Sequence, residues 1–172
     1  MERFTPVAEV ELCGHATLAA AHILFETNIV HGSSSIQFKT LHSGELSARR
    51  DEVSGDIVLD FPLVAVEPLE LSVSQLEQLT TGLSINAEDI VYSGKSIYDI
   101  VVELTPRAFY NMNTINFLSL SMLEVRGIIV TCIGPKHDGT TTLAIEKYPH
   151  CSLETDILSR CFFPRYTAAK HQ

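Results

Sequence analysis

The stretch Leu12-Cys13-Gly14-His15-Ala16-Thr17-Leu18-Ala19-Ala20-Ala21-His22-Ile23-Leu24-Phe25-Glu26 decides how the rest of the chain is read. From Ala16 to Phe25 only Thr17 and His22 are polar, and Ala and Leu dominate, so the segment reads as a helix. Its apolar residues do not keep to one stripe but cover nearly the whole circumference, the pattern of a helix surrounded by other structure. It is too short and interrupted to span a bilayer. The chemistry lies at its entrance. Gly14 lets a ligand approach the backbone, and the first amides, around His15, Ala16 and Thr17, lack intrahelical partners. Such a helix start favours an anion, most simply a carboxylate or phosphate, with His15 beside it to move a proton. Cys13 reads as a small buried hydrophobe rather than a nucleophile, and His22 as a structural histidine.

Composition narrows the function classes. The 172 residues fit one large domain or two small ones, and 45% hydrophobic content is ample for a core. The net charge is -9 and no basic run is longer than Arg49-Arg50, which argues against nucleic acid or an anionic membrane as partner. Cys13, Cys132, Cys151 and Cys161 show no C-x-x-C pairing and no zinc-like histidine spacing. Reduced thiols in a cytoplasmic setting are therefore expected, and the seven scattered histidines show no metal constellation.

Met1 to Glu11 reads as a short extended segment broken by Pro6, and His31 to Ser35 as a loop. Three strands with period-2 alternation follow. Ile36, Phe38 and Thr40 share a face of the first; Leu46 and Ala48 face inward on the second; Ile57, Leu59 and Phe61 mark the third. Leu63 to Leu71 is the candidate boundary, giving domains 1-66 and 67-172. Ser72 to Gln75 has capping-box spacing and opens a short helix ending at Gly82. A hairpin is expected from Ile90-Tyr92 and Ile97-Leu104 around a Ser93-Gly94-Lys95 turn. Phe109 to Leu123 reads as helix, Gly127 to Ile133 as a β-branched strand, and Lys136 to Thr142 as a loop. Leu143 to Tyr148 and Ile157 to Phe163 read as further strands, and Tyr166 to Gln172 as a tail without periodicity.

Several of these residues also carry a family likeness. Phe4-Thr5-Pro6, Glu9-Val10, the block Leu12-Cys13-Gly14-His15-Ala16-Thr17-Leu18-Ala19, Ser43-Gly44-Glu45-Leu46, Ile57 to Pro62 and Ser159 to Pro164 together resemble the PhzF family of phenazine-biosynthesis-like proteins. The C-G-H-A-T-L-A block in register with the upstream F-T-P is the specific part. The resemblance implies an α+β, diaminopimelate-epimerase-like fold: two pseudo-symmetric domains, each a curved, mostly antiparallel sheet around a central helix. It implies cofactor-independent isomerisation of a small carboxylic acid by proton transfer, in a cleft between two facing helix starts. His15 matches the family's active-site histidine, Gly14 matches the glycine at the helix mouth, and Gly14, His15, Ala16 and Thr17 form the substrate-binding turn.

The chain also departs from that pattern. The family's acid/base glutamate comes from an S-E-T-A-F-type motif that is not found here, and Arg165 to Lys170 does not match the second helix mouth, D-P-V-T-G-S-A-H. Arg3 stands where a tryptophan is common. The chain thus resembles an internal portion of a family member, with both domains incomplete and weak or no activity alone. Its exposed apolar faces and unpaired strand edges invite association, for example as a homodimer. A non-catalytic binding protein that retains the fold remnant is the competing reading. A thiol racemase built on Cys13 is the third, and it needs an opposing cysteine.

Overall fold

The computed structural model describes residues 13-31, 34-138, 146-148 and 152-164. The chain divides into two compact units, Met1–Leu63 and Val64–Gln172.

In the first unit the opening segment is helical as its composition predicts: α1 runs Gly14–Glu26. Strands β1 (Ile36–Lys39), β2 (Glu45–Arg50) and β3 (Ile57–Asp60) form an antiparallel sheet in sequence order. Ile36, Phe38, Leu46 and Ala48 are buried, so the period-2 pattern assigns the inward face correctly. Gly44, at φ 70, lets the chain reverse before β2, and the Thr40 hydroxyl donates to its carbonyl at 2.8 Å.

The helix differs from its sequence reading. Only Thr17, Ala21 and Phe25 are buried, a single stripe at four-residue spacing, while Leu18 is 41% and Ile23 57% exposed. A sheet of three strands, each pair about 4.8 Å apart, is little wider than one helix and covers one side of it. An all-round apolar sequence therefore does not bring all-round cover from the described residues.

The second unit is a five-stranded sheet in the order β4 (Glu67–Pro68), β5 (Ile90–Lys95), β6 (Asp99–Leu104), β7 (Gly127–Ile133), β8 (Ile157–Phe162). Its β6–β7 pairing is parallel and the other pairings are antiparallel. Parallel neighbours need a crossover, which here carries two short helices, α3 (Pro106–Asn111) and α4 (Phe117–Ser121). Together with α2 (Val73–Leu83) they pack on the face bearing Ile100, Val102, Ile128 and Val130. The Ser72–Gln75 capping box is formed reciprocally at 3.2 and 3.0 Å.

Four expectations for this unit need correction. The span from Phe109 to Leu123 is two helices with an extended link, because Asn116 uses its side chain to cap α4, accepting from the Ser119 amide at 3.1 Å. Strand β5 continues through Lys95, and the turn falls at Ser96, whose hydroxyl oxygen accepts from the Tyr98 and Asp99 amides. Pro135–Asp138 is a single helical turn, α5, where a loop was expected; residues 139-142 lie outside those described. Of the strand expected over 143-148, only 146-148 are described, and Glu146 and Lys147 are helical. The segments 1-12 and 165-172 also lie outside the described residues.

Two polar ties hold the sheet ends. Arg126 donates to both Asp99 oxygens, at 3.0 and 2.5 Å, and its guanidinium lies over the Tyr98 ring. At the β7–β8 neck, Gly134 N donates to Asp156 O at 2.7 Å. The Asp156 carboxylate there meets Lys136 Nζ at 3.1 Å and His137 Nε2 at 2.6 Å.

Candidate functional site

The start of α1 is built from a run that supplies no cap of its own. Cys13 takes the N-cap position with extended backbone, φ -143 and ψ 100, and its side chain makes no capping hydrogen bond. The first intrahelical bond runs from Thr17 N to Cys13 O at 3.1 Å. The amides ahead of it, those of Gly14, His15 and Ala16, are left without an intrahelical acceptor. Ser, Thr, Asp or Asn at position 13 would fill that role; cysteine, a weak acceptor, leaves it open. The positive end of the helix dipole is thus presented at this turn.

Thr17 departs from the sequence reading. Its amide is spent on the helix, its hydroxyl donates to Cys13 O at 2.9 Å, and the residue is 0% exposed. As the fourth helical residue it is the first whose N–H can reach a carbonyl one turn back, so it locks the turn. Among the described residues, the amides of Gly14, His15 and Ala16 remain open. At Gly14 a β-carbon would lie 3.3 Å from Phe61 Cε2, so the missing side chain lets this turn sit close against the end of the sheet.

His15 is exposed, and its side-chain partner among the described residues is Cys13: the sulfur lies 3.4 Å from Nε2 and 3.7 Å from Nδ1. No carboxylate is hydrogen-bonded to it among the described residues. Below His15 an open groove of about 710 Å³ runs along the uncovered side of α1 to the start of β3. At its far end Arg50 meets Glu26, with Nη2 2.6 Å from Oε1, and lies over the Phe25 ring at 5.2 Å. The hydrogen bond and charge of Arg50 hold the Glu26 carboxyl below the usual carboxylate range. Sequence reasoning missed this pair, although a signal was there. Arg50 stands two residues beyond Ala48 in the inward-facing register of β2, so alternation alone points it toward the helix. Among the described residues no group of three or more acidic, histidine or cysteine side chains is arranged to hold a metal.

The profile of the PhzC-PhzF phenazine biosynthesis-like proteins matches residues 2–168. This chain belongs to that family. An uncharacterized isomerase of Halalkalibacterium halodurans is 38% identical over 162 residues, covering 94% of this chain and 51% of the relative. The phenazine biosynthesis-like domain-containing protein 2 of Mus musculus is 37% identical over 169 residues, with 94% and 52% covered. The crystal structure of a PhzC/PhzF protein from Clostridium difficile superposes with a TM-score of 0.67 at 29% identity, again over 94% of this chain and 51% of the other. The chain therefore spans about half the length of the curated relatives it matches. As a PhzC-PhzF member it is α+β with antiparallel and mixed sheets, in keeping with its structural neighbour. No helix among the described residues is long and apolar enough to cross a membrane.

Proposed function

We propose that this chain carries one helix mouth of a PhzF-type isomerase site, which acts without a cofactor on a small carboxylic acid. The open amides of Gly14, His15 and Ala16 hold the carboxylate, and His15 moves a proton. In such a reaction a C–H proton leaves to a base, the double-bond system shifts, and a proton returns at another carbon, so nothing is oxidised or consumed. Charge that builds up on the substrate carboxylate in between is stabilised by the helix start. The observation that carries this reading is the uncapped first turn of α1 with His15 on its rim. The isomerase names among relatives support it.

The wider reading follows the same resemblance: two pseudo-symmetric, diaminopimelate-epimerase-like domains, 1-66 and 67-172, both incomplete, in a cytoplasmic protein. With Cys13 as the partner of His15 and no carboxylate bonded to it among the described residues, the expected rate of this chain alone is low. A positioned acid/base is worth about 10²–10⁴-fold. That same observation favours a second reading, a binding protein that retains the anion site without turnover.

One experiment separates the two. The chain is titrated with a dihydro-aromatic carboxylic acid in ordinary water while amide shifts are followed, and a parallel sample in deuterated solvent is assayed for deuterium in the acid. Shifts at Gly14, His15 and Ala16 with incorporation that disappears in His15→Ala support the isomerase. Shifts without incorporation support the binding protein. Absence of any shift at these amides removes both.

A further inference from the structure

Another cavity, of about 410 Å³, lies within the second unit, between the end of α2, the 3-10 turn Ala87–Asp89 and α3. Polar ties fix its frame. The Ser84 hydroxyl, just past α2, donates to Thr114 O at 2.9 Å. Asp89 spends its carboxylate on the frame: Oδ2 accepts from Asn86 N at 3.0 Å and Oδ1 from the Thr105 hydroxyl at 3.1 Å. Its carbonyl takes the Thr105 amide at 2.8 Å. Ile85 and Ala108 give the cavity an apolar wall. Three side chains on this frame are unengaged. Glu88, Arg107 and Asn111 line the cavity, are exposed, and make no hydrogen bond or ion pair with another described residue.

Two of the three are oppositely charged. Glu88 and Arg107 share one cavity, yet no ion pair joins them. Each stands on backbone held in place: Glu88 on a turn closed by Asp89 N onto Asn86 O at 3.2 Å, Arg107 on the first turn of α3, where the Thr105 hydroxyl oxygen accepts from Ala108 N at 3.4 Å. A ligand that satisfies both carries both charges. Asn111 follows Arg107 by four residues on the same face of α3, so its amide joins the guanidinium as a donor set for a carboxylate. Glu88 is left for an ammonium. Ions of one sign fit worse: a phosphate at Arg107 meets two carboxylates, Glu88 and Asp89, and a polyamine at those carboxylates meets Arg107. An α-amino acid carries carboxylate and ammonium on one carbon. A volume of 410 Å³ is within the range of small-molecule sites, about 300–1,000 Å³, and leaves room for its side chain against Ile85 and Ala108. We propose that this cavity binds a free α-amino acid, its carboxylate on Arg107 and Asn111 and its ammonium on Glu88.

The site belongs to the second unit alone and does not rest on the helix mouth of α1. The whole chain is titrated with glycine, leucine, glutamate and lysine in turn while its amide shifts are followed. At least one of the four should move the amides of Glu88, Arg107 and Ala108 saturably. The N-acetyl and carboxamide forms of that amino acid each lack one of its charges, and each should bind about tenfold or more weaker. Glu88→Gln and Arg107→Gln should weaken the amino acid itself to the same extent. Both substitutions alter exposed side chains, and thermal melting verifies that each variant is folded. Four results overturn the proposal: no shift at these amides with any of the four, an acetylated or amidated form that binds as tightly, inorganic phosphate that binds as tightly, and a variant that binds as well as the unaltered chain. Shifts confined to Gly14, His15 and Ala16 overturn it too, while leaving the helix mouth of α1 as a carboxylate site.

Discussion

The Cys13 sulfur lies 3.4 Å from His15 Nε2, across a helix start that neither side chain caps. Replacing that sulfur by a capping oxygen separates stability from binding. Cys13→Asp should accept from the amide of His15 or Ala16 and stabilise the first unit by about 0.5–2 kcal/mol. The same bond takes up amides proposed to hold a carboxylate, so the melting temperature should rise while affinity for a small carboxylic acid falls. Thermal melting and calorimetric titration of one variant check both; unchanged affinity would remove the amides from the site.

Thr17→Val should lower stability alone. The side chains are nearly the same shape, and the lost hydroxyl bond to Cys13 O is worth about 0.5–1.5 kcal/mol. Because the Thr17 amide is already closed onto Cys13 O, carboxylate binding should not change. Urea unfolding and the same titration measure the two quantities side by side.

Asp99 is 5% exposed and grips Arg126 with both oxygens. Asp99→Ala leaves a partly buried guanidinium without its carboxylate, at a cost of about 3 kcal/mol to the second unit. The expected signature is a lower denaturation midpoint with no effect on carboxylate binding at α1.

The β7–β8 neck should respond to acid. The hydrogen bond from His137, then Lys136, holds the Asp156 carboxyl below its ordinary 3.8. A depressed folded value means that the stabilisation is fully present above the unfolded value near 3.8 and is lost as pH falls through the lower folded one. Amide exchange at Gly134, whose N–H donates to Asp156 O, should therefore quicken below about pH 4 by more than intrinsic exchange accounts for. In Asp156→Asn that acid step should vanish.

Much of the fold was legible where one physical signal acted alone. Strict alternation assigned Ile36, Phe38, Leu46 and Ala48 to the inside, and Ser72–Gln75 announced α2 by the chemistry of its cap. Legibility failed where side chains competed with the backbone. Asn116 and Ser96 turned a long helix and a hairpin turn into something shorter and later, because each satisfies local amides that the simpler reading assigned elsewhere. The helix mouth was visible as Gly14-His15 in an apolar run. That Thr17 would spend both its donors on Cys13 O, and that Arg50 would reach Glu26, depended on geometry between elements.

The parallel β6–β7 pairing also has a kinetic side. Leu104 and Gly127 are joined through α3 and α4, and Ile133 and Ile157 by a similar length of chain, so the β6–β7 and β7–β8 ladders pair residues 28 and at least 24 positions apart, and each must close a long loop before its first hydrogen bond forms. By contrast, α1 and the β1–β2–β3 meander are built from neighbours in sequence. In refolding, the first unit should therefore gain its structure early. The burial of Ile128 and Val130 against Ile100 and Val102 should set the slower phase.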